Sequence, residues 1–371
     1  MLDQKKIMTK IAIVLGTRPE IIKLSPIIKR LKRSECIVIF TGQHYDYDLG
    51  LKFIDELEIR EPDIKMKLKM TGGSAKTAQI AEMVQRLGTN FSQTKPSTVV
   101  VQGDTDTVLA GGMASLKSKI PVCHVEAGLR SYDWRMPEEH NRIVVDHISE
   151  LLFAPTLTSK KNLVSESVHG RIFVTGNTVI DAIEDNIHLA EKKSMISIER
   201  NDFVLVTIHR VENIENPRTL RGIMNALIQS KTNFVFPIHP HTLKNLHRFG
   251  LYDRVKNSNN IFLESVVGYF DMLALMKKCR FIVTDSGGLQ EEATSPRIRK
   301  KVLVIRKTTD RPEAVKLGFS ELVGTNSTSI IKAIKKNVND ATIYSRSSPY
   351  GGGNSSKKII TLIRKYIKSQ N

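Results

Sequence analysis

Short β-branched runs recur along the whole chain, separated by stretches of helical apolar period, and this alternation constrains the fold more than any other feature. Strands that read as continuous apolar runs, instead of alternating in and out, are buried on both faces, the mark of a parallel sheet covered by helices. The runs Ile11–Leu15, Ile37–Phe40, Thr98–Val101, Val122–His124 and Ile172–Val174 predict strands in the first half of the chain. Phe203–Thr207, Phe234–Pro237, Ile261–Leu263, Phe281–Thr284 and Val302–Ile305 predict them in the second. These are too many for one ordinary sheet, and 371 residues suffice to bury two cores.

After the first run, Gly16-Thr17-Arg18-Pro19-Glu20 turns into a helix whose Ile21, Ile22, Leu24, Ile27, Ile28 and Leu31 share one face. The same grammar restarts near residue 203, where Val204-Leu205-Val206 runs into Thr207-Ile208-His209-Arg210 and a helix opens around Pro217. Two doubly wound α/β domains are expected, divided within the charged, helical stretch around 175–200. No fixed-period repeat relates them, so they share architecture only.

Composition removes several classes. Hydrophobic residues at 40% and charged residues at 25% are those of a globular protein. No run approaches the ~18 apolar residues of a membrane span, and no apolar signal-peptide core follows Met1-Leu2-Asp3-Gln4-Lys5-Lys6, so the expected compartment is the cytoplasm. Cys36, Cys123 and Cys279 lie far apart with no C-x-x-C pair and read as buried thiols. The outlier is charge, 56 Lys+Arg against 38 Asp+Glu, or +18. Something anionic is the expected partner, and because the basic residues are scattered rather than gathered into an arm or patch, the pattern argues against nucleic acid. At the end of the chain, Lys357, Lys358, Arg364, Lys365 and Lys368 alternate with Ile359, Ile360, Leu362, Ile363 and Ile367, the pattern of a docking helix with a solvated basic face.

Almost every predicted strand ends in small and ionisable residues, and in doubly wound sheets ligands bind at those ends. Thr284-Asp285-Ser286-Gly287-Gly288 lets the backbone approach a ligand, and Ser286 with the following helix N-terminus suits phosphate oxygens. Glu291 and Glu292, one turn further, suit ribose hydroxyls, and Arg306–Glu313 supplies cations from another strand end, where an arginine can complete the charge balance of a diphosphate. The first half has the acids: Gln102-Gly103-Asp104-Thr105-Asp106, His124-Val125-Glu126 and Pro137-Glu138-Glu139-His140-Asn141-Arg142. Carboxylates around one cleft, with His209 from the second half, suit proton transfer, although each alone reads more readily as a cap or ion-pair partner. Asp104-Thr105-Asp106 and His239-Pro240-His241 resemble metal pairs but have no third ligand at suitable spacing, so no metal is expected. There is no P-loop, no G-x-G-x-x-G after the first strand and no G-x-S-x-G elbow, which removes the usual support for ATP hydrolysis, dinucleotide redox chemistry and lipase-type hydrolysis.

Taken in order over about residues 10–320, Gly16–Glu20 with Lys23, Gly42-Gln43-His44, Gly103-Asp104-Thr105, His124–Arg130, Pro137–Glu139 with Asn141-Arg142, His209-Arg210, Asp285–Gly288 and Thr308–Glu313 resemble the non-hydrolysing UDP-N-acetylglucosamine 2-epimerases. The resemblance implies a glycosyltransferase-B-like fold, two Rossmann-like domains facing a central cleft. These are residues 1–178 plus 356–371, carrying the acid/base groups, and 179–355, binding UDP. The C-terminal helix returns to the first domain through a Tyr350-Gly351-Gly352-Gly353 hinge. It further implies a homodimer without cofactor that interconverts UDP-N-acetylglucosamine and UDP-N-acetylmannosamine through a 2-acetamidoglucal, feeding surface polysaccharide or glycan synthesis. By motif match Asp104, Glu126, Glu138 and His209 are the catalytic candidates, with Glu139 the neighbour most easily confused with Glu138. Arg18, Lys23, Arg142, His209, Ser286, Gly287, Gly288, Glu292 and Arg311 are the UDP-sugar contacts. Gln43, His44, Arg210 and His239 resemble an activating site for a second UDP-N-acetylglucosamine, although Val211 stands where many bacterial members have arginine. The basic stretch Ser295–Lys301 is longer than the usual family turn. A modified UDP-sugar, a hydrolysing outcome and a glycosyltransferase of the same fold remain the alternatives.

Overall fold

The computed structural model describes residues 10–42, 53–68, 75–196, 202–343, 345 and 347–370. Contacts divide the chain into two compact units, unit 1 being Met1–Ala182 with Gly353–Asn371 and unit 2 Ile183–Gly352. Unit 1 contains β1 (Ile11–Leu15), β2 (Cys36–Phe40), β3 (Ile64–Lys65), β4 (Thr98–Gln102), β5 (Val122–Val125), β6 (Leu151–Ala154) and β7 (Arg171–Val174). They form one parallel seven-stranded sheet in the order β3-β2-β1-β4-β5-β6-β7. Unit 2 contains β8 (Val204–Thr207), β9 (Phe234–Pro237), β10 (Ile261–Glu264), β11 (Ile282–Thr284), β12 (Val302–Val304) and β13 (Ser320–Leu322). These form a parallel six-stranded sheet in the order β10-β9-β8-β11-β12-β13. Helices alternate with the strands throughout, so both units have the α/β architecture expected from the runs of apolar residues.

Every residue of β1, β2, β4, β5, β8 and β9 is buried, which is why these strands are continuous apolar runs in the sequence. Val14, Ile39, Val101, Leu87 and Phe91 build the core of unit 1, and Val206, Phe236, Phe281, Leu303 and Ile334 that of unit 2. Three strands escaped the sequence pattern, each for a physical reason. β6 is Leu-Leu-Phe-Ala, buried but without β-branching, and follows a helix directly, so it reads as more helix. β3 has two residues, and β13 is the edge segment Ser320-Glu321-Leu322.

The Ser355–Gln370 helix buries Ile359, Ile360, Ile363 and Ile367, belongs to unit 1 and packs on the Arg18–Arg30 helix. Asp181 accepts hydrogen bonds from Ser355 N at 3.0 Å, Ser356 N at 2.8 Å and Ser356 Oγ at 2.6 Å, which satisfies first-turn N–H groups that would otherwise be orphaned. On its outer face Lys357, Lys358, Lys365 and Lys368 are exposed, while Arg364 Nη2 meets Glu35 at 2.7 Å. Among the described residues no helix is long and apolar enough to cross a membrane. The three cysteines are free and buried, and burial pushes the Cys123 and Cys279 thiols up to about 12.

Each sheet reverses its direction of growth once, between β1 and β4 in unit 1 and between β8 and β11 in unit 2. Loops leaving these strand pairs diverge to opposite faces and leave a crevice at the strand ends. Gly16, Gly103, His209 and Ser286 all follow those strands.

Candidate active site

In unit 1 the ends of β1, β4 and β5 present a network of paired charges. Lys23, in the second turn of the Arg18–Arg30 helix, places Nζ 2.8 Å and 2.6 Å from the two carboxylate oxygens of Glu126. Gln102 Nε2 and Asn177 Nδ2 donate to Glu126 Oε2 at 3.0 Å and 3.3 Å. Glu126 is thus a buried carboxylate on which the Lys23 cation and the Gln102 and Asn177 amides converge. Its backbone has φ 71°, a left-handed conformation that costs a non-glycine residue roughly 1–3 kcal/mol. The Phe153 carbonyl holds that turn by accepting both Glu126 N at 3.1 Å and Ala127 N at 3.2 Å.

Asp104 follows Gly103 at the end of β4. Arg142 Nη2 donates to its carboxylate, and Asn141 Nδ2 donates to its carbonyl at 3.0 Å. The other arm of Arg142 donates to Glu139 Oε2 at 2.8 Å. Glu139 also accepts from Tyr132 N at 2.9 Å and from Ser131 Oγ at 2.9 Å, and it is fully buried, so its oxygens are occupied by the loop before the helix. Glu138 lies in the same first turn of the Pro137–Ile148 helix, about 100° further round it, and is exposed. The structure therefore separates the two neighbours: Glu139 is a buried anchor for Arg142, and Glu138 is exposed. Arg18 stacks its guanidinium 4.4 Å from the centre of the Phe53 ring.

Unit 2 is arranged differently. Asp285, buried at the end of β11, accepts from His209 N at 3.1 Å, Arg210 N at 3.0 Å and Asn213 Nδ2 at 3.0 Å. One carboxylate so pins the loop after β8 and leaves the His209 ring partly exposed, 5.9 Å from the His239 ring between centroids. Ser286 caps the short Gly287–Glu292 helix, with Glu292 half-buried at its end. A Cβ at Gly287 would lie 3.5 Å from Asp310 Oδ1 and 3.8 Å from the Arg311 guanidinium, so the loops after β11 and β12 are neighbours there. Arg311 itself is buried, with Nε 2.5 Å from Glu291 and Nη1 2.8 Å from Asp310. Gln43 and His44 lie outside the described residues. Among the described residues no cluster of three or more His, Cys, Asp or Glu side chains is arranged to hold a metal ion.

Two residues at the strand ends were not singled out in the sequence. Glu20 is buried, accepts from Gly16 N at 2.6 Å and Thr17 N at 3.2 Å, and receives a third bond from Thr105 Oγ1, on the loop that carries Asp104. Burial pushes its carboxyl up to about 7 against those hydrogen bonds. Thr17-x-x-Glu20 at a helix start is a capping-box pattern and was the available signal; its third partner, 85 residues away, had none. Asp285 stood inside a recognised motif, but its role in holding the loop after β8 follows from strand neighbours.

A protein-family model described as UDP-N-acetylglucosamine 2-epimerase matches residues 27–364. The chain is 40% identical over 367 residues to the UDP-N-acetylglucosamine 2-epimerase of Methanocaldococcus jannaschii, covering 95% of this chain and 98% of that protein. It is 33% identical to the UDP-2,3-diacetamido-2,3-dideoxy-D-glucuronate 2-epimerase of Pseudomonas aeruginosa, covering 96% and 99%. Among solved structures, that of the Methanocaldococcus jannaschii UDP-GlcNAc 2-epimerase in complex with UDP-GlcNAc and UDP matches with a TM-score of 0.85 at 39% identity, over 96% of this chain and 100% of that one.

Proposed function

This chain belongs to the UDP-N-acetylglucosamine 2-epimerase family and is an epimerase of that class, and from that premise we propose that it inverts carbon 2 of UDP-N-acetylglucosamine by eliminating and re-adding UDP. The carbon 2 proton is not acidic enough to be removed by itself. Its transfer to a base is therefore coupled to cleavage of the bond from carbon 1 to the phosphate oxygen, which leaves with the electron pair as UDP. The enzyme then holds 2-acetamidoglucal beside UDP. Delivery of a proton to the other face of carbon 2, with return of the phosphate oxygen to carbon 1, gives UDP-N-acetylmannosamine and restores the proton balance.

The observation that carries this reading is that Asp104 and Glu126, on neighbouring strand ends, are each paired with a cation, Arg142 and Lys23. Each carboxylate is so held in place at its strand end, and Glu138 adds an exposed acid on the next helix. In this reading Asp104, Glu126 and Glu138 serve the two faces of carbon 2. His209, Ser286, Gly287, Gly288, Glu292 and Arg311 of unit 2 take the uridine, ribose and diphosphate, and Arg18, Lys23 and Arg142 complete the contacts from unit 1. Backbone N–H groups at Gly287 and Gly288 and the half-exposed His209 suit the charge that develops on the departing diphosphate. The enzyme is proposed to work as a cytoplasmic homodimer, to need no cofactor and to supply activated N-acetylmannosamine for surface polysaccharide or glycan synthesis. Arg210 and His239, with Gln43 and His44, are proposed for an activating UDP-N-acetylglucosamine.

Incubating the protein with UDP-N-acetylglucosamine in deuterium oxide, followed by proton NMR, tests the reading. UDP-N-acetylmannosamine with deuterium at carbon 2 of both epimers is the expected result. Free N-acetylmannosamine would instead mark a hydrolysing enzyme, and no exchange would move the substrate to a modified UDP-sugar such as the diacetamido uronate in the Pseudomonas aeruginosa enzyme's name.

A further inference from the structure

Beneath Asp104 and Glu126 runs a buried network that the proposed chemistry does not use. His124, on β5, is fully buried, with Nδ1 2.7 Å from Asp146 Oδ1 and Nε2 2.8 Å from the Gly103 carbonyl oxygen. Burial alone would push the Asp146 carboxyl up, but the His124 and Arg130 cations outweigh it and hold it below the usual carboxylate range. An ionised carboxylate and a carbonyl can only accept, so both ring nitrogens face acceptors. The second oxygen of Asp146 accepts from Gly128 N at 3.1 Å and lies 2.7 Å from Arg130 Nη2. Arg130 closes the chain on Glu166 through Nε at 2.7 Å and Nη2 at 2.6 Å. The Arg130 guanidinium thus lies between the carboxylates of Asp146 and Glu166.

The network meets the backbone at Gly103 and at Gly128, one and two residues from an acid/base candidate. Gly103 precedes Asp104; it has φ 86°, its N donates to the Val125 carbonyl at 3.1 Å, and its own carbonyl is the one His124 holds. Its polar groups are therefore both bonded to β5 residues, and the direction in which Asp104 leaves is set there. Gly128 follows Glu126 by two residues, with φ 81°, and a Cβ on it would fall 2.3 Å from the Ser159 carbonyl. That turn has no room to slide once Asp146 holds its N–H.

We propose that His124 and Asp146 are a positioning dyad: His124 holds the Gly103 carbonyl and so aims Asp104, while Asp146 holds the turn that carries Glu126, and one carboxylate sets the spacing of both. The proposal rests on the epimerase reading and deepens it. Neither residue touches the reacting atoms. A histidine kept only to fill the core would be indifferent to which ring nitrogen is replaced, whereas the dyad is not.

Asparagine places its amide nitrogen near the position of imidazole Nδ1, and glutamine near that of Nε2. H124N thus keeps a donor for Asp146 and releases Gly103, and H124Q does the reverse. The expected result is a fall of about a hundredfold in kcat for H124N with KM for UDP-N-acetylglucosamine little changed, since a misaimed group weakens turnover more than binding. H124Q falls less. Equal kcat in the two variants, or kcat and KM falling together with melting temperature in both, overturns the proposal. If H124N does not fold, Gly103→Ala serves: among the described residues no atom beyond its two chain neighbours lies within 4 Å of the added Cβ, so the change strains the backbone conformation, and the same selective loss of kcat is expected. An unchanged kcat in Gly103→Ala also overturns it. Wild-type exchange measured alongside keeps the two claims apart: its absence overturns the activity reading and this one with it, whereas wild-type exchange with undiminished variants overturns this one alone.

Discussion

Around their centres the two units have the same strand order, β3-β2-β1-β4-β5-β6 and β10-β9-β8-β11-β12-β13, yet they present different chemistry at the carboxyl ends of those strands. Unit 1 offers charged side chains, Glu126 on Lys23 and Asp104 on Arg142, each ionised group compensated by a named partner. Unit 2 offers backbone and small side chains at Ser286–Gly288, and its buried Asp285 is spent on the N–H groups of the neighbouring loop. Topology decides where a ligand can bind, and the residues one or two positions past the strand decide what can be done there. A clasp across the switch point recurs in both units, but from opposite sides. In unit 1 it comes from the helix after the first strand, as Glu20; in unit 2 it comes from the end of the fourth, as Asp285.

The difference can be broken most directly at Glu126. E126Q keeps shape and removes the charge, and kcat for carbon 2 exchange is expected to drop about 10²–10⁴-fold, the range for a lost acid/base group. An E126Q enzyme that exchanges at the wild-type rate would show that unit 1 does not supply the base through this residue.

The clasp in unit 1 titrates, and the next largest effect is on stability. Because burial raises the Glu20 pKa from 4.5 to about 7, the folded protein holds a proton that the unfolded chain releases between those values. The Glu20 contribution to stability is therefore present below pH 4.5 and is lost as pH rises through about 7, by at most about 3 kcal/mol. E20Q cannot release that proton. Denaturant unfolding of the two proteins from pH 4.5 to 8 should show E20Q gaining on the wild type as pH rises. A constant difference between them would remove Glu20 from the account.

The smallest effect belongs to unit 2. S286A deletes a single hydroxyl and leaves the neighbouring backbone N–H groups and the His209 and Arg311 side chains, so KM should rise by only severalfold, about 1 kcal/mol, with kcat nearly intact. A loss of turnover as large as that of E126Q would mean the two units divide the chemistry otherwise than their strand ends suggest.

Much of the fold was legible before the structure. Runs such as Ile11–Leu15 and Phe234–Pro237 are continuous because both faces of the sheet are covered, and burial leaves that mark in the residues themselves. β6 was not legible, because Leu-Leu-Phe-Ala fits helix and strand equally and only its pairing with β5 and β7 decides between them. The site divides along the same line. Chain order alone marks Gly103-Asp104, His124-Val125-Glu126 and Asp285-Ser286 as polar residues at strand ends, since hydrophobic periodicity and its interruption are local properties.

Which partner each of them meets is not local. Lys23 reaches Glu126 across 103 residues and Asp181 reaches Ser356 across 175, distances over which no residue pattern carries information in a single sequence. The sequence by itself therefore determined the class of fold, where its strands run and which residues stand at their ends. Only the tertiary structure decided that Glu139 is a buried anchor while Glu138 is exposed, and that Glu20 and His124 each grip the loop of Asp104. Those outcomes depend on parallel strands from distant parts of the chain being brought side by side in one register, where a buried charge must find its counter-charge or remain unpaired.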